Sequence, residues 1–247
     1  LLGIYELTTL GVRVACPVGE RLRLTAGLFE GTPGTAEQNP HGWNWWLGKH
    51  EGVFRIAEMQ WQPRMGKKGC EPLIKIGNWY HSGDFADLRQ SGNVDANDDD
   101  APAEPIGHRH NWGTYVTYDQ QIFRGSTDPD TGLGVFCQKG WMTPNDRSSV
   151  ESSWGCGFTW TGPFRERTSD ALSVGLGRTT YSRSARAFEE ENQGAFFVTE
   201  EVVEIGYLYQ LAPGLTLRPS LQFIKNVEGD PNLSRARYFS LRCTAVF

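Results

Sequence analysis

Along most of this chain, hydrophobic and polar residues alternate one by one. In LTLRPSLQFI, Leu217, Leu221 and Phe223 fall on one side, and Thr216, Arg218, Ser220 and Gln222 on the other. The C-terminal stretch repeats the rhythm, with Phe239, Leu241, Cys243, Ala245 and Phe247 against Tyr238, Ser240, Arg242 and Thr244. A period of two belongs to β-strands, whose successive side chains leave opposite faces. Bounded by turn residues, such segments predict eleven strands, near 8–17, 21–29, 52–62, 72–81, 112–122, 132–141, 151–161, 171–182, 199–210, 215–225 and 237–247. Helical periodicity is nearly absent.

Alternation alone does not say which face is wet. A soluble sandwich buries the apolar row, whereas a membrane barrel turns it to lipid and lines its lumen with the polar row. The connections separate the two. Those near 18–20, 63–71, 123–131, 162–170 and 211–214 are short, and they alternate with mostly longer ones near 30–51, 82–111, 142–150, 183–198 and 226–236. Up-and-down outer-membrane barrels keep that rhythm, and a Greek-key sandwich has no reason to.

Composition agrees. The chain is 38% hydrophobic with net charge −5, yet it holds nine Trp and 29 Gly. Alternation halves the hydrophobic signal of each strand, so a barrel with a wet interior looks this polar. No stretch reaches the length of a transmembrane helix, and no basic patch points to nucleic acid. Trp61, Trp112, Trp141, Trp154, Trp160, Tyr207 and Tyr209 cluster near strand ends, as in an interfacial belt. The chain starts without Met or a leader, which fits a processed protein or a piece of a longer one. An even strand number is the rule for bacterial barrels, so eleven implies a miscount or strands before Leu1.

Several stretches, in order, resemble the carbohydrate-selective porin (OprB-like) family: IYELTTLGVRV, LTAGLFEG, IAEMQW, IKIGNWYHSGDF, RHNWGTYVTYDQQIFR, GLGVFCQKGW, FTWTGPF and GLTLRPSLQFI. The run at 77–85 and the YVxxDQQ run at 115–121 are the most specific. The resemblance implies an all-β, transmembrane antiparallel up-and-down barrel. Residues 1–247 would be one domain holding eleven strands of a barrel of about sixteen, its N-terminal strands absent or carried elsewhere. It implies the outer membrane of a Gram-negative bacterium, contact with lipid and lipopolysaccharide, sugars as permeating solutes, and no cofactor, metal or catalytic residue. It allows a partner chain completing the barrel, and a homo-oligomer. A terminal Phe247 resembles the aromatic C-terminal signature of outer-membrane proteins.

Extending the alternation inward nominates a pore lining of Arg13, Arg23, Glu58, Gln60, Lys75, Trp79, His81, Tyr115, Asp119, Gln121, Gln138, Glu200, Glu204, Arg218, Gln222 and Arg242. Opposed charges there would set a transverse field favouring neutral polar solutes over simple ions. Trp79 could stack on a pyranose or pack against an inward loop, and Gly77 could admit a loop to the wall. Asp84 could pin the long connection that follows.

That connection carries Asp95, Asn97 and Asp99 at partial calcium-loop spacing, without the glycine and glutamate that complete such a loop. It reads as solvated and as a candidate gate lining. His108 and His110 lack a third metal ligand at good spacing. Cys137 and Cys156 fall on neighbouring strands of the apolar face, and read as small wall residues before a disulfide pair. Pro219 inside a strand, and Arg55 and Lys139 on the apolar face, depart from the pattern. Two rival readings are a soluble carbohydrate-binding β-sandwich and a glycosidase using Glu200 with Glu204 or Asp119 with Glu58.

Overall fold

The structure, a computed structural model, describes residues 10–32, 39, 41–43, 52–66, 69–89, 107–125, 128–191 and 199–246. Its strands are β1 (Gly11–Val18), β2 (Leu22–Glu30), β3 (Val53–Trp61), β4 (Leu73–Ala86), β5 (Gly107–Arg124), β6 (Gly132–Met142), β7 (Val150–Thr161), β8 (Ala171–Tyr181), β9 (Thr199–Ala212), β10 (Leu215–Lys225) and β11 (Ala236–Ala245). Each pairs antiparallel with its sequence neighbours in one sheet ordered β1 to β11. All eleven expected strands are present. β4 and β5 extend furthest past expectation, because a bulge between His81 and Asp84 lets their pairing continue to Ala86 and Gly107.

Among the described residues the sheet is not closed, since β1 and β11 each pair on one side only. Connections at one rim are compact: Gly19 and Gly214, at φ 70 and 78, make the tight β1–β2 and β9–β10 turns with a left-handed backbone that a side chain would strain. The other rim carries most of the longer connections, among them the one holding helix α1 (Arg183–Glu191). Sequence periodicity did not reveal α1. Its Arg183 and Arg186 open the helix and its glutamates close it, against the macrodipole. Buried Ser182 still caps it by accepting the Ala185 N–H at 3.2 Å.

No second layer covers the sheet among the described residues. Val14, Leu221, Phe223, Phe239 and Leu241 are 41–62% exposed. A sandwich would have buried Leu217, Leu221 and Phe223 under another sheet, and none is there. Trp61, Trp112, Trp141, Trp154, Trp160, Tyr207 and Tyr209 share this apolar face by register. The guanidinium of Arg55 sits over the Tyr80 ring at 5.9 Å, and Lys139 over Trp141 at 5.1 Å. Both cations are near the long-connection rim, where a lipid-facing charge costs about 0–1 kcal/mol instead of about 2–4 at mid-membrane.

Cys137 and Cys156 stand directly opposite on β6 and β7 and form a disulfide, correcting the expectation of two free wall residues. Pro219 lies within β10. Its ladder to β11 continues, with Pro219 opposite Leu241, but pairing to β9 skips from Leu217 to Ser220.

Candidate functional site

Residues directly opposite in a ladder project to the same face, so one side of the sheet can be followed strand by strand. Glu58 is opposite Thr25 and Gly77, Gly77 opposite Tyr115, Tyr115 opposite Gly140, and Gly140 opposite Ser153. Ser153 is opposite Thr179, and Thr179 opposite Glu200. Four residues along β9, Glu204 meets Gln222, which meets Tyr238. Carried along each strand, the register puts every residue nominated above on one polar face: Arg13, Arg23, Glu58, Gln60, Lys75, Trp79, His81, Tyr115, Asp119, Gln121, Gln138, Glu200, Glu204, Arg218, Gln222 and Arg242.

That face has two charged arcs. On β1–β5, the Tyr115 hydroxyl and the Gln60 amide each donate to the Glu58 carboxylate at 2.6 Å. Lys75 and Arg13 stand near enough to act on its charge. Gly77 makes this possible: a Cβ there would lie 2.2 Å from Tyr115 Cζ, so what reaches the wall is the Tyr115 ring and not a loop. On β9–β11, a recess of about 610 Å3 is lined by Glu204, Arg218, Gln222, Tyr238, Ser240 and Arg242 among others. There the Gln222 amide donates to Glu204 at 2.9 Å, Ser220 and Ser240 share a hydrogen bond of 2.8 Å, and Arg218 faces Arg242. Tyr238, missed as a site residue, was legible as the i−4 neighbour of Arg242 in the same polar row.

Between the arcs the polar face of β6–β8 carries mostly small residues, with Phe136 and Gln138 of β6 lying over Gly157 and Gly155. Gly134, Gly140, Gly155, Gly157, Gly175 and Gly177 all point this way. A Cβ at Gly175 would meet nothing within 4 Å, and one at Gly177 only a backbone oxygen at 3.8 Å. At its short-connection end a smaller recess of about 290 Å3 is edged by Asp119, Gln121, Phe136 and Thr159.

Several nominated side chains are already engaged. Trp79 stacks on Phe54, centroids 6.1 Å apart, and covers Gly113. His81 Nδ1 accepts the Gly83 N–H at 3.0 Å, so Nε2 donates to the Gly31 carbonyl at 2.8 Å and ties β4 to the β2–β3 connection. Gln121 donates to the Phe123 carbonyl beside a bulge, and Glu200 accepts the Glu228 N–H at 2.7 Å. Asp84 pairs with Arg109 at 3.4 Å across the β4–β5 extension. His108 Nε2 lies 2.7 Å from Asp87 and 3.5 Å from Asp146, while His110 Nδ1 bonds the Tyr80 hydroxyl. The Arg147 guanidinium beside Asp146 holds its carboxyl below the ordinary range. Asp95, Asn97, Asp99 and Phe247 lie outside the described residues.

Neither carboxylate pair is spaced for glycoside hydrolysis. Glu200 and Glu204 are four residues apart on one strand, about 13 Å, and Asp119 is two strands and four residues from Glu58, about 16 Å. Both exceed the roughly 5–10 Å that either stereochemical course needs. A further recess of about 490 Å3 on β1–β5 is walled mainly by Val14, Leu24, Ala57, Met59 and Ile76 of the apolar face, with Thr25, Glu58 and Gly77 also on its lining.

Comparison with known proteins adds to this geometry. The carbohydrate-selective porin, OprB family matches residues 3–247. Porin B of Pseudomonas aeruginosa is 23% identical over 241 residues, covering 90% of this chain and 51% of its own length. The putative porin QuiX of Acinetobacter baylyi is 23% identical over 237 residues, 89% of this chain and 51% of its own. The chain thus spans about half the length of the curated relatives it matches. Among solved structures, the high-pH form of Pseudomonas putida OprB superposes with a TM-score of 0.80 at 20% identity, over 95% of this chain and 58% of the other. The outer-membrane channel DcaP of Acinetobacter baumannii gives 0.59 at 11% identity, over 96% and 62%.

Proposed function

The chain belongs to the carbohydrate-selective porin OprB family, and from that premise we propose that it supplies eleven strands of an outer-membrane barrel through which sugars diffuse passively. The single observation that carries this reading is the register. It gathers most of the charged and amide side chains on one face and leaves the middle of the opposite face to aliphatic rows bordered by Trp and Tyr, with its charges near the long-connection rim.

The apolar face meets acyl chains and the polar face a water column. An open edge in hydrocarbon leaves backbone groups unsatisfied, at several kcal/mol each. Further strands therefore pair with β1 and β11 in the working barrel, and the functional object is larger than this sheet.

In the lumen no bond is made or broken. Arg13, Arg23, Lys75 and Glu58 line one arc, with Arg218, Arg242 and Glu204 on the other. Mixed charge across a water-filled passage orients dipolar solutes and offers hydrogen bonds to hydroxyls, while a simple ion is attracted to one arc residue and repelled by the next. The small-residue wall of β6–β8 leaves room for a hexose ring between them. Liposome swelling with the full-length protein and a panel of sugars and salts tests the reading. Neutral sugars are expected to enter faster than salts of similar size, and equal entry would overturn it.

A further inference from the structure

We infer that the rim of β8–β11 carries a binding site for a phosphorylated, multiply acylated glycolipid of the outer leaflet, formed by Arg178, Lys225, Arg235 and Arg237 around Glu201. The inference rests on the barrel reading above.

Within the regular ladder, the apolar face carries the cations Arg55, Lys139, Arg178, Lys225 and Arg237. Each lies no more than three residues from the long-connection end of its strand, and among the described strand residues none lies at the opposite end; at that other rim Arg167, in the β7–β8 turn, is paired with Asp170 over the Tyr209 ring. Snorkelling alone would populate both rims, because both interfaces offer water. A one-sided distribution matches a bilayer whose two leaflets differ in charge, and long connections mark the outer side of such barrels.

The cations of β8–β11 form one site. One row, a step short of the β8–β9 rim at Thr180 and Thr199, runs Arg178, Glu201, Lys225 and then Arg235, just before the start of β11. The next row inward runs Leu176, Val203, Phe223 and Arg237, and the next Val174, Ile205, Leu221 and Phe239. Charge thus gives way to aliphatic surface over two steps, as an amphiphile requires.

Arg178 Nη1 and Lys225 Nζ stand 3.8 and 3.4 Å from opposite oxygens of Glu201, which holds the two cations apart. Arg235 and Arg237 have no carboxylate partner among the described residues. Lys225, Arg235 and Arg237, with the one carboxylate of Glu201, line a recess of about 300 Å3 that Val203 and Phe223 also line, and Arg178 stands on the other side of Glu201. Guanidinium pairs grip phosphate oxygens with two parallel hydrogen bonds, and the aliphatic rows below accept acyl chains.

The test uses full-length protein in neutral detergent, titrated under native mass spectrometry with phosphorylated lipid A, the same lipid stripped of phosphate, and phosphatidylglycerol. Phosphorylated lipid A is expected to bind about tenfold tighter than either other lipid, and Arg235→Gln with Arg237→Gln to weaken it about tenfold. Equal binding of the phosphorylated and dephosphorylated forms, or no effect of the double substitution, overturns the site. Phosphatidylglycerol binding as tightly as lipid A overturns the glycolipid as occupant. Should the double variant fail to show heat-modifiable mobility, Glu201→Gln decides: about threefold tighter binding of phosphorylated lipid A supports the site, and no change overturns it. Sugar entry into liposomes is read on the same variants. Lost lipid binding with normal sugar entry removes the site alone, and absent sugar entry in the unaltered protein removes the porin reading alone.

Discussion

The polar face is built in two ways. On β1–β5 and β9–β11, strands are tied by side chains across the ladder, as in Tyr115 of β5 to Glu58 of β3 over Gly77, Gln222 to Glu204 and Ser220 to Ser240. On β6–β8 the same face is rich in glycine and short hydroxyl side chains and has few ties, such as Ser173 to the Gly206 carbonyl. Most cross-links there lie elsewhere. Cys137–Cys156 joins β6 to β7 from the apolar side. In the β7–β8 turn, buried Asp170 accepts from Arg167 and from the Tyr207 hydroxyl at 2.6 Å, and takes the Gln210 N–H at 2.9 Å. Arg167 in turn lies 3.8 Å over the Tyr209 ring. A wall kept low for passage has most of its fastening moved behind it and beneath it.

Five variants sharpen or break this contrast. Replacing Cys137 and Cys156 with Ser is expected to act most strongly, because the bond closes a loop 19 residues long. That closure constrains the unfolded chain by about 3 kcal/mol, read as a lowered urea midpoint for the detergent-folded full-length protein. Removing a tie from the charged arc with Tyr115→Phe should cost only about 1 kcal/mol; equal losses would erase the contrast.

Asp170→Asn comes next, at about 2–3 kcal/mol, because a buried carboxylate loses charge-assisted bonds. The Arg167 guanidinium above all, with Tyr207 and the Gln210 N–H, holds the Asp170 carboxyl at about 2 against an ordinary 3.8. Its folded value is depressed, so its contribution is full above about pH 4 and is lost as pH falls towards about 2. Urea midpoints across that window should fall steeply for the unaltered protein and flatten in Asp170→Asn. Parallel acid limbs would show that the turn does not fasten the wall.

Gly175→Trp adds bulk where nothing stands within 4 Å, so folding is expected to be unchanged while disaccharide entry falls about fivefold. Unchanged entry would mean that the glycine wall is not part of the passage. Glu58→Gln has the smallest expected effect. It removes the carboxylate of the first arc and should shift cation-to-anion selectivity about twofold towards anions, measured as a reversal potential in planar bilayers. No shift would take Glu58 out of the conducting path.

Much of this was legible before any coordinates. Strand positions followed from alternation, and the polar set shares one face because the bulges at His81/Asp84, Gln121/Phe123, Val150/Ser152 and Leu215/Thr216 all fall near strand ends. A bulge in mid-strand would have sent half of a strand's residues to the other side. Helix α1 was hidden by charges placed against its dipole. The disulfide was legible only as the second reading of Cys137 and Cys156, because alternation gives a cysteine's face but not its opposite number. Trp79 and His81 were read by face correctly, yet their partners, Phe54 and the Gly31 carbonyl, come from another strand and a distant connection.

The sequence by itself determined the period, and through it the number of strands, the two faces and the residues each displays, because side-chain direction in a strand depends on nothing beyond position. Only the tertiary structure decided which residues stand opposite one another. The glycine wall, the Cys137–Cys156 bond and the four-strand cationic row exist only once register is set, and register is a relation between strands that no single segment contains.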